Sequence, residues 1–304
     1  MSVSHTRHSS RAAPIAAAAL AVSIGWPGTA APVDGLDAFI LHHATAPYGA
    51  GVGVTGSLAR WRGGRPESIC PRTVGLEPAY DDFVTARVRA LAAEVGAPVQ
   101  ANPDCRDNVQ ITFTDAPDKI MAQVLKTAAR TLGVRYPTQI RRQLEVSGAH
   151  AIQGWYLTTA GDGRVLNTDA DLLGGPENLL PLWPIVIQTS QSVHGGAFGA
   201  GFSGIVGVVL VVDTRRLGDL SIGPIADYLA MLALSVVQSP DHCDPPPSIF
   251  DLMTPDCRSR PAPTAVTAAD IAFLKALYYH NTGLGPTLSR DDIRSNMQQQ
   301  LEHP

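Results

Sequence analysis

IVGVVLVVD (Ile205–Asp213), followed after a short polar turn by IGPIADYLAMLALSVV (Ile222–Val237), decides the architecture of this chain. The first segment is the most β-branched run in the sequence and has no polar alternation, which predicts a central strand buried on both faces. The second is apolar on nearly every helical face and so predicts a helix in the middle of the core. Asp227 is its only charge. A strand that feeds a fully buried helix belongs to a layered α and β domain, and the flanking sequence extends that plan in both directions.

Upstream, EPAYDDFVTARVRALAAEV (Glu77–Val95) places Phe83, Val84, Val88, Leu91 and Val95 at helical spacing. Asn108–Phe113 alternates Val109, Ile111 and Phe113 with polar residues, which predicts a strand, and Asp115-Ala116-Pro117 opens a second helix to about Leu132. A short strand is expected around Leu58–Arg62. Residues 152–172 are expected to form a hairpin turning at Gly161-Asp162-Gly163. Downstream, the proline-rich segment 240–263 predicts a loop without regular structure. Thr267 with Asp270 three residues later caps a helix that repeats Ile271, Leu274, Leu277 and Tyr278, and Arg290–Leu301 forms a last amphipathic helix. The expected class is α+β, with a mixed twisted sheet, a buried central helix and C-terminal helices.

At the N-terminus, Arg7 and Arg11 precede an apolar run from Ala12 to Gly25 and small residues near Ala30. This is a secretory leader layout, with cleavage expected after Ala30 and a secreted or periplasmic destination. The alternative is a membrane anchor, but the run falls short of the roughly 20 residues that a span needs. No later segment is apolar for long enough to span. The organisation read from the chain is a signal peptide over 1–30, an extended N-terminal arm over 31–57 in which His42 and His43 are solvated, and one domain over 58–304.

The whole sequence carries 23 basic and 27 acidic residues. Loss of Arg7 and Arg11 widens the acidic excess, and the remaining arginines are scattered, so no phosphate-tracking stripe exists and nucleic acid is not an expected partner. The four cysteines form two sequence-local pairs. In an exported chain this predicts Cys70–Cys105 and Cys243–Cys257 disulfides, since the alternative four-cysteine zinc site has spacings that match no ribbon or finger.

Gly199, Gly201 and Gly204 satisfy G-x-G-x-x-G, but they precede a strand instead of opening a helix, so no dinucleotide site is expected. The chain contains no H-E-x-x-H, G-x-S-x-G or P-loop motif. His150, His194, His242 and His280 are far apart in sequence and predict no local constellation.

The strand at 205–213, the buried helix at 222–237, the loop holding Ser248-Ile249-Phe250-Asp251-Leu252-Met253 and the helix from Thr267 to Ala276-Leu277-Tyr278 together resemble a zincin metalloprotease of the metzincin type. A group of exported bacterial proteins ascribed the zincin plan is similar in this ending. The resemblance covers about residues 200–280. It implies that the buried helix would carry zinc-binding histidines and a catalytic glutamate, with Met253 as the turn methionine beneath the metal. At the matching helix this sequence has Asp227, Tyr228 and Met231 and no histidine. Carboxylate and thioether at that spacing make a poor zinc site. The expectation is therefore a non-catalytic, pseudo-peptidase binding or envelope-associated module with no catalytic residues, cofactor or metal, and with a protein or peptide as the ligand class to test. Asp227, Tyr228, Met231 and Met253 form its candidate cleft. Asp227 is expected to meet an arginine, with Arg215 and Arg216 as candidates, backbone donors or a polar cavity, or else to contact a ligand. The alternative function is a divergent hydrolase whose site draws on His194, His242, His280 and Asp227.

Overall fold

The computed structural model describes residues 35–43, 58–62, 68–120, 122, 150–160, 203–237, 243, 245–279 and 288–302. The expected leader at 1–30 and the expected turn at 161–163 lie outside these residues, as does the expected second helix beyond its start at 117–120. The described part is α+β. Four strands, β1 (Pro71–Val74), β2 (Val109–Thr114), β3 (Ile152–Ala160) and β4 (Ser203–Asp213), form a mixed sheet in the order β1-β2-β4-β3. β1, β2 and β4 run parallel, and β3 is antiparallel to β4. The described helices are α1 (Leu36–His43), α2 (Pro78–Glu94), α3 (Ile222–Leu234), α4 (Ala268–Tyr278) and α5 (Arg290–Glu302). None is long and apolar enough to cross a membrane.

β4 occupies an interior place in the sheet, and Val208 to Val212 are buried without alternation, as a run with no polar residue requires. β3 takes β4 as its antiparallel partner. The link from β1 to α2 turns at Gly75, whose φ is 106°; a Cβ there would collide with the carbonyl oxygen of Phe113. Only glycine allows both the left-handed backbone and the close approach. α2 then packs on β1 and α3 through Val84, Val88, Leu91 and Ala92. Phe83, expected in the core, is 44% exposed, because it projects about 100° away from the Val84–Val88–Leu91 stripe.

Residues 36–43 correct the expected extended arm. They form α1, and its Leu36, Phe39, Ile40 and His43 are buried at i, i+3, i+4 and i+7. His43 is not solvated: its ring stacks on Phe39 and Phe250, and Nδ1 donates to the Phe39 carbonyl at 2.7 Å. The surrounding Gly, Ala and Pro residues obscure an apolar period only two turns long.

α3 stops at Leu234, not at Val237. Ser235 adopts φ −138° and ψ 148°, and the β-branched Val236 and Val237 favour extended backbone. A helix ending inside a core leaves carbonyls that must find donors. Here side chains supply them: Trp61 Nε1 donates to Ala233 O at 2.8 Å, Tyr278 OH to Leu234 O at 2.6 Å and Ser235 Oγ to Met231 O at 2.9 Å. The expected strand at Leu58–Arg62 is a single parallel bridge from Arg60 to Gly204, and this segment brings Trp61 to the helix end. Tyr278→Phe should leave the Leu234 carbonyl unpaired and lower the unfolding free energy by about 1–2 kcal/mol, read from urea melts as a lower midpoint at unchanged slope.

Both expected disulfides are formed. Cys70–Cys105 spans Cα atoms 6.0 Å apart and ties the entry of β1 to the loop before β2; Cys243–Cys257 spans 5.3 Å. The second closes the proline-rich segment, in which two short 3-10 turns, Ile249–Leu252 and Pro255–Ser259, are the described regular elements. Thr267 and Asp270 form the expected capping box on α4, although Phe273 fills the core while Ile271 is only partly buried.

Candidate functional site

Asp227 and Met231 lie one turn apart on α3 and both are buried, at 4% and 0% exposure. The Asp227 carboxylate receives Arg87 Nε from α2 on Oδ1 and the Val266 backbone N–H on Oδ2, the latter at 3.0 Å. Its partner is thus neither Arg215 nor Arg216. Those two lie in the 3-10 turn after β4, where Arg215 forks onto Asp213 with Nε at 2.9 Å from Oδ1 and Nη2 at 2.8 Å from Oδ2. The Arg215 side chain holds the Asp213 carboxyl below the usual carboxylate range. A carboxyl whose folded pKa is lowered stabilises the fold above its unfolded value, near 3.9, and loses that contribution as the pH falls through the folded value. Urea midpoints should therefore drop as the pH falls below about 4, and Asp213→Asn should flatten that part of the profile.

Tyr228 and Met253 come together on a cleft of about 570 Å³. Asp227 and Met231 do not line it. The cleft lies beyond the carboxyl end of β4. Its walls come from the start of β3 (His150, Ile152), the turn after β4 (Arg216, Leu220), α3 (Tyr228) and the segment held by the Cys243–Cys257 disulfide (Asp251, Met253, Arg258, Arg260). Ligands of open sheets containing parallel strands commonly sit outside the carboxyl strand ends, where loops and helix ends converge.

The disulfide-closed wall is held firmly. Ser248 caps the first 3-10 turn, and its Oγ donates to Asp270 Oδ1 at 2.7 Å while the Ile249 N–H donates to Oδ2 at 2.8 Å. Tyr228 stands edge-on to Phe250 with ring centroids 5.0 Å apart. Arg260 bridges the wall, with Nη1 3.7 Å from Asp251 Oδ2 and Nη2 donating to the Cys243 carbonyl at 2.6 Å. These contacts fix the backbone that carries Arg258 and Met253.

Among the described residues no set of side chains fits a zinc centre. Zinc takes imidazole, thiolate or carboxylate donors in tetrahedral array. α3 provides one carboxylate, already engaged by Arg87 and Val266. Among the described residues the one gathering of three potential donors is Cys243, Asp251 and Cys257, and its two sulfurs are bonded to each other. His194, His242 and His280 lie outside the described residues; His150 is on the cleft wall.

Sequence reasoning missed Arg87, Arg258 and Arg260 as cations of this region, and it named Arg216 only as a partner for Asp227, whereas Arg216 lines the cleft. The available signal was Arg258 and Arg260 bracketing Ser259 directly after Cys257, in a segment already assigned to a disulfide loop. No protein-family model, curated protein or solved structure matches the chain.

Proposed function

We propose that the chain is an exported, non-catalytic binding module built on a zincin-like scaffold, in which the helix that carries the metal ligands in such peptidases serves as a structural pillar. The observation that carries this reading is the engagement of Asp227. The one acidic side chain of α3 is consumed by Arg87 and the Val266 N–H, and no imidazole stands beside it on that helix. The order of strand β4, a short turn and then the buried helix is the order on which the resemblance rests. Two disulfides suit an oxidising compartment, in keeping with the basic and apolar N-terminal segment. The binding surface is the cleft floored by Tyr228 and Met253.

A peptidase assay on the mature protein, using a mixed fluorogenic peptide substrate with and without chelator, tests this reading. The expected result is hydrolysis no faster than the buffer blank in either arm. Hydrolysis abolished by chelator would establish a metallopeptidase and refute it.

A further inference from the structure

The cleft beside Tyr228 has a charge and a shape that specify the chemistry of its occupant. Arg216 and Arg258 stand on its wall from two different segments, the turn after β4 and the Pro255–Ser259 turn. Asp251 is the one acidic residue among its described lining residues. That carboxylate is 7% exposed and is already met by Arg260 and by the Ser248 N–H, so it does little to offset Arg258. Arg216 Nε lies 4.0 Å from Asp213 Oδ2, a carboxylate already forked by Arg215, and the Arg216 side chain stays 46% exposed. Among the described residues no carboxylate pairs with Arg258, which is exposed. Between the cations lie apolar surfaces: Tyr228, Met253 and Leu220, the last a large hydrophobic residue left 36% exposed. Guanidinium groups recognise planar oxyanions through paired N–H donors, and an adjoining apolar wall favours an anion carried on a hydrophobic body.

We propose that this cleft binds an organic carboxylate with an apolar body, its charge held by Arg258 and Arg216 and its body lying over Tyr228, Met253 and Leu220. The assignment rests on the binding-module reading and names its ligand class. Such a group can be a small aryl or alkyl carboxylic acid or the free C-terminus of a peptide ending in an apolar residue. The disulfide-closed segment supplies the rigidity: Arg258 follows Cys257 directly, so its backbone is anchored by the Cys243 bridge before any ligand arrives.

Calorimetric titration of the mature protein tests the assignment with four probes: 3-phenylpropionate, its neutral amide, a short peptide ending in phenylalanine with a free carboxylate, and the same peptide amidated. Both acids should bind, each at least about tenfold more tightly than its amide. Arg258→Ala and Arg216→Ala, on exposed or half-exposed side chains, should each weaken the acids by about tenfold while the melting temperature stays near that of the parent. Comparable affinity for both acids would identify the small carboxylate as sufficient; a peptide acid at least about tenfold tighter would identify a polypeptide end as the source. Acids weaker than about 10 mM, or amides that bind as well as acids, would overturn the proposal, and the parent protein alone can give that result. Such a failure leaves the non-catalytic reading intact. Chelator-sensitive peptide hydrolysis by the same preparation would instead refute that reading, whatever the acids do.

Discussion

Asp227→Ala should lower the unfolding free energy by about 3 kcal/mol, the loss expected when one partner of a largely buried ion pair is removed. Two deficits add. Arg87, itself partly exposed, must return to water without its partner, and the Val266 N–H loses its acceptor. Arg87→Ala should have a comparable effect for the opposite reason, because it strands a carboxylate whose side chain is only 6% exposed. The double variant should lose less than the sum of the single losses, with a coupling of about 1–3 kcal/mol. Asp227→Asn, which keeps the shape and one acceptor oxygen, should fall between parent and Ala. Denaturant melts of the parent and these four variants provide the test; single losses below about 1 kcal/mol that simply add would show that the pair is not a clamp. Every variant that folds should retain the anion preference of the cleft, because Asp227 is not on its wall.

Asp270→Ala should be at least as damaging, lowering the unfolding free energy by about 4 kcal/mol. The Asp270 carboxylate is fully buried and accepts from four donors: Ser248 Oγ, the Ile249 N–H, the Thr267 N–H and Thr267 Oγ1, all within 3.0 Å. Its removal takes away the reciprocal half of the α4 capping box, leaving Thr267 Oγ1 to cap the residue-270 N–H, and frees the start of the segment that bears the cleft wall. Two backbone N–H groups lose their acceptor, at about 1–3 kcal/mol each where they stay dry. Asp270→Asn keeps one carbonyl oxygen and should fall midway. Besides the melts, amide hydrogen exchange should rise across 248–260 in the Ala variant. Unchanged exchange there would mean that the disulfide alone fixes that wall.

The two carboxylates also show where sequence reading succeeds and where it stops. Asp270 lies three residues after Thr267, so its cap on α4 is written in a local pattern; its second hold, on Ser248 and Ile249, is not, because those residues are distant in sequence. Asp227 was recognisable as a buried charge from the apolar faces around it. Its partner was not, since Arg87 is 140 residues away and sits on an otherwise ordinary amphipathic helix. The same distinction runs through the fold. β4, α2, α4 and α5 follow from runs and periods, and the disulfides from the short spacing of each cysteine pair. α1 was hidden because two helical turns in a background of Gly, Ala and Pro give too little period to detect. The early stop of α3 depends on Trp61 and Tyr278, donors brought from remote segments, which no local window contains. The cleft was half legible for this reason: Tyr228 and Met253 belong to a recognisable order of elements, whereas Arg216 and Arg258 join them only once the turn after β4 and the disulfide-closed loop have folded against each other.

The proposed function holds α3 to be a pillar of the core that carries no catalytic ion. Elemental analysis of the protein, purified natively and never refolded, tests it most directly. Zinc and other transition metals should be present at well below one atom per chain, before and after dialysis against micromolar zinc. One zinc atom retained per chain would contradict the account.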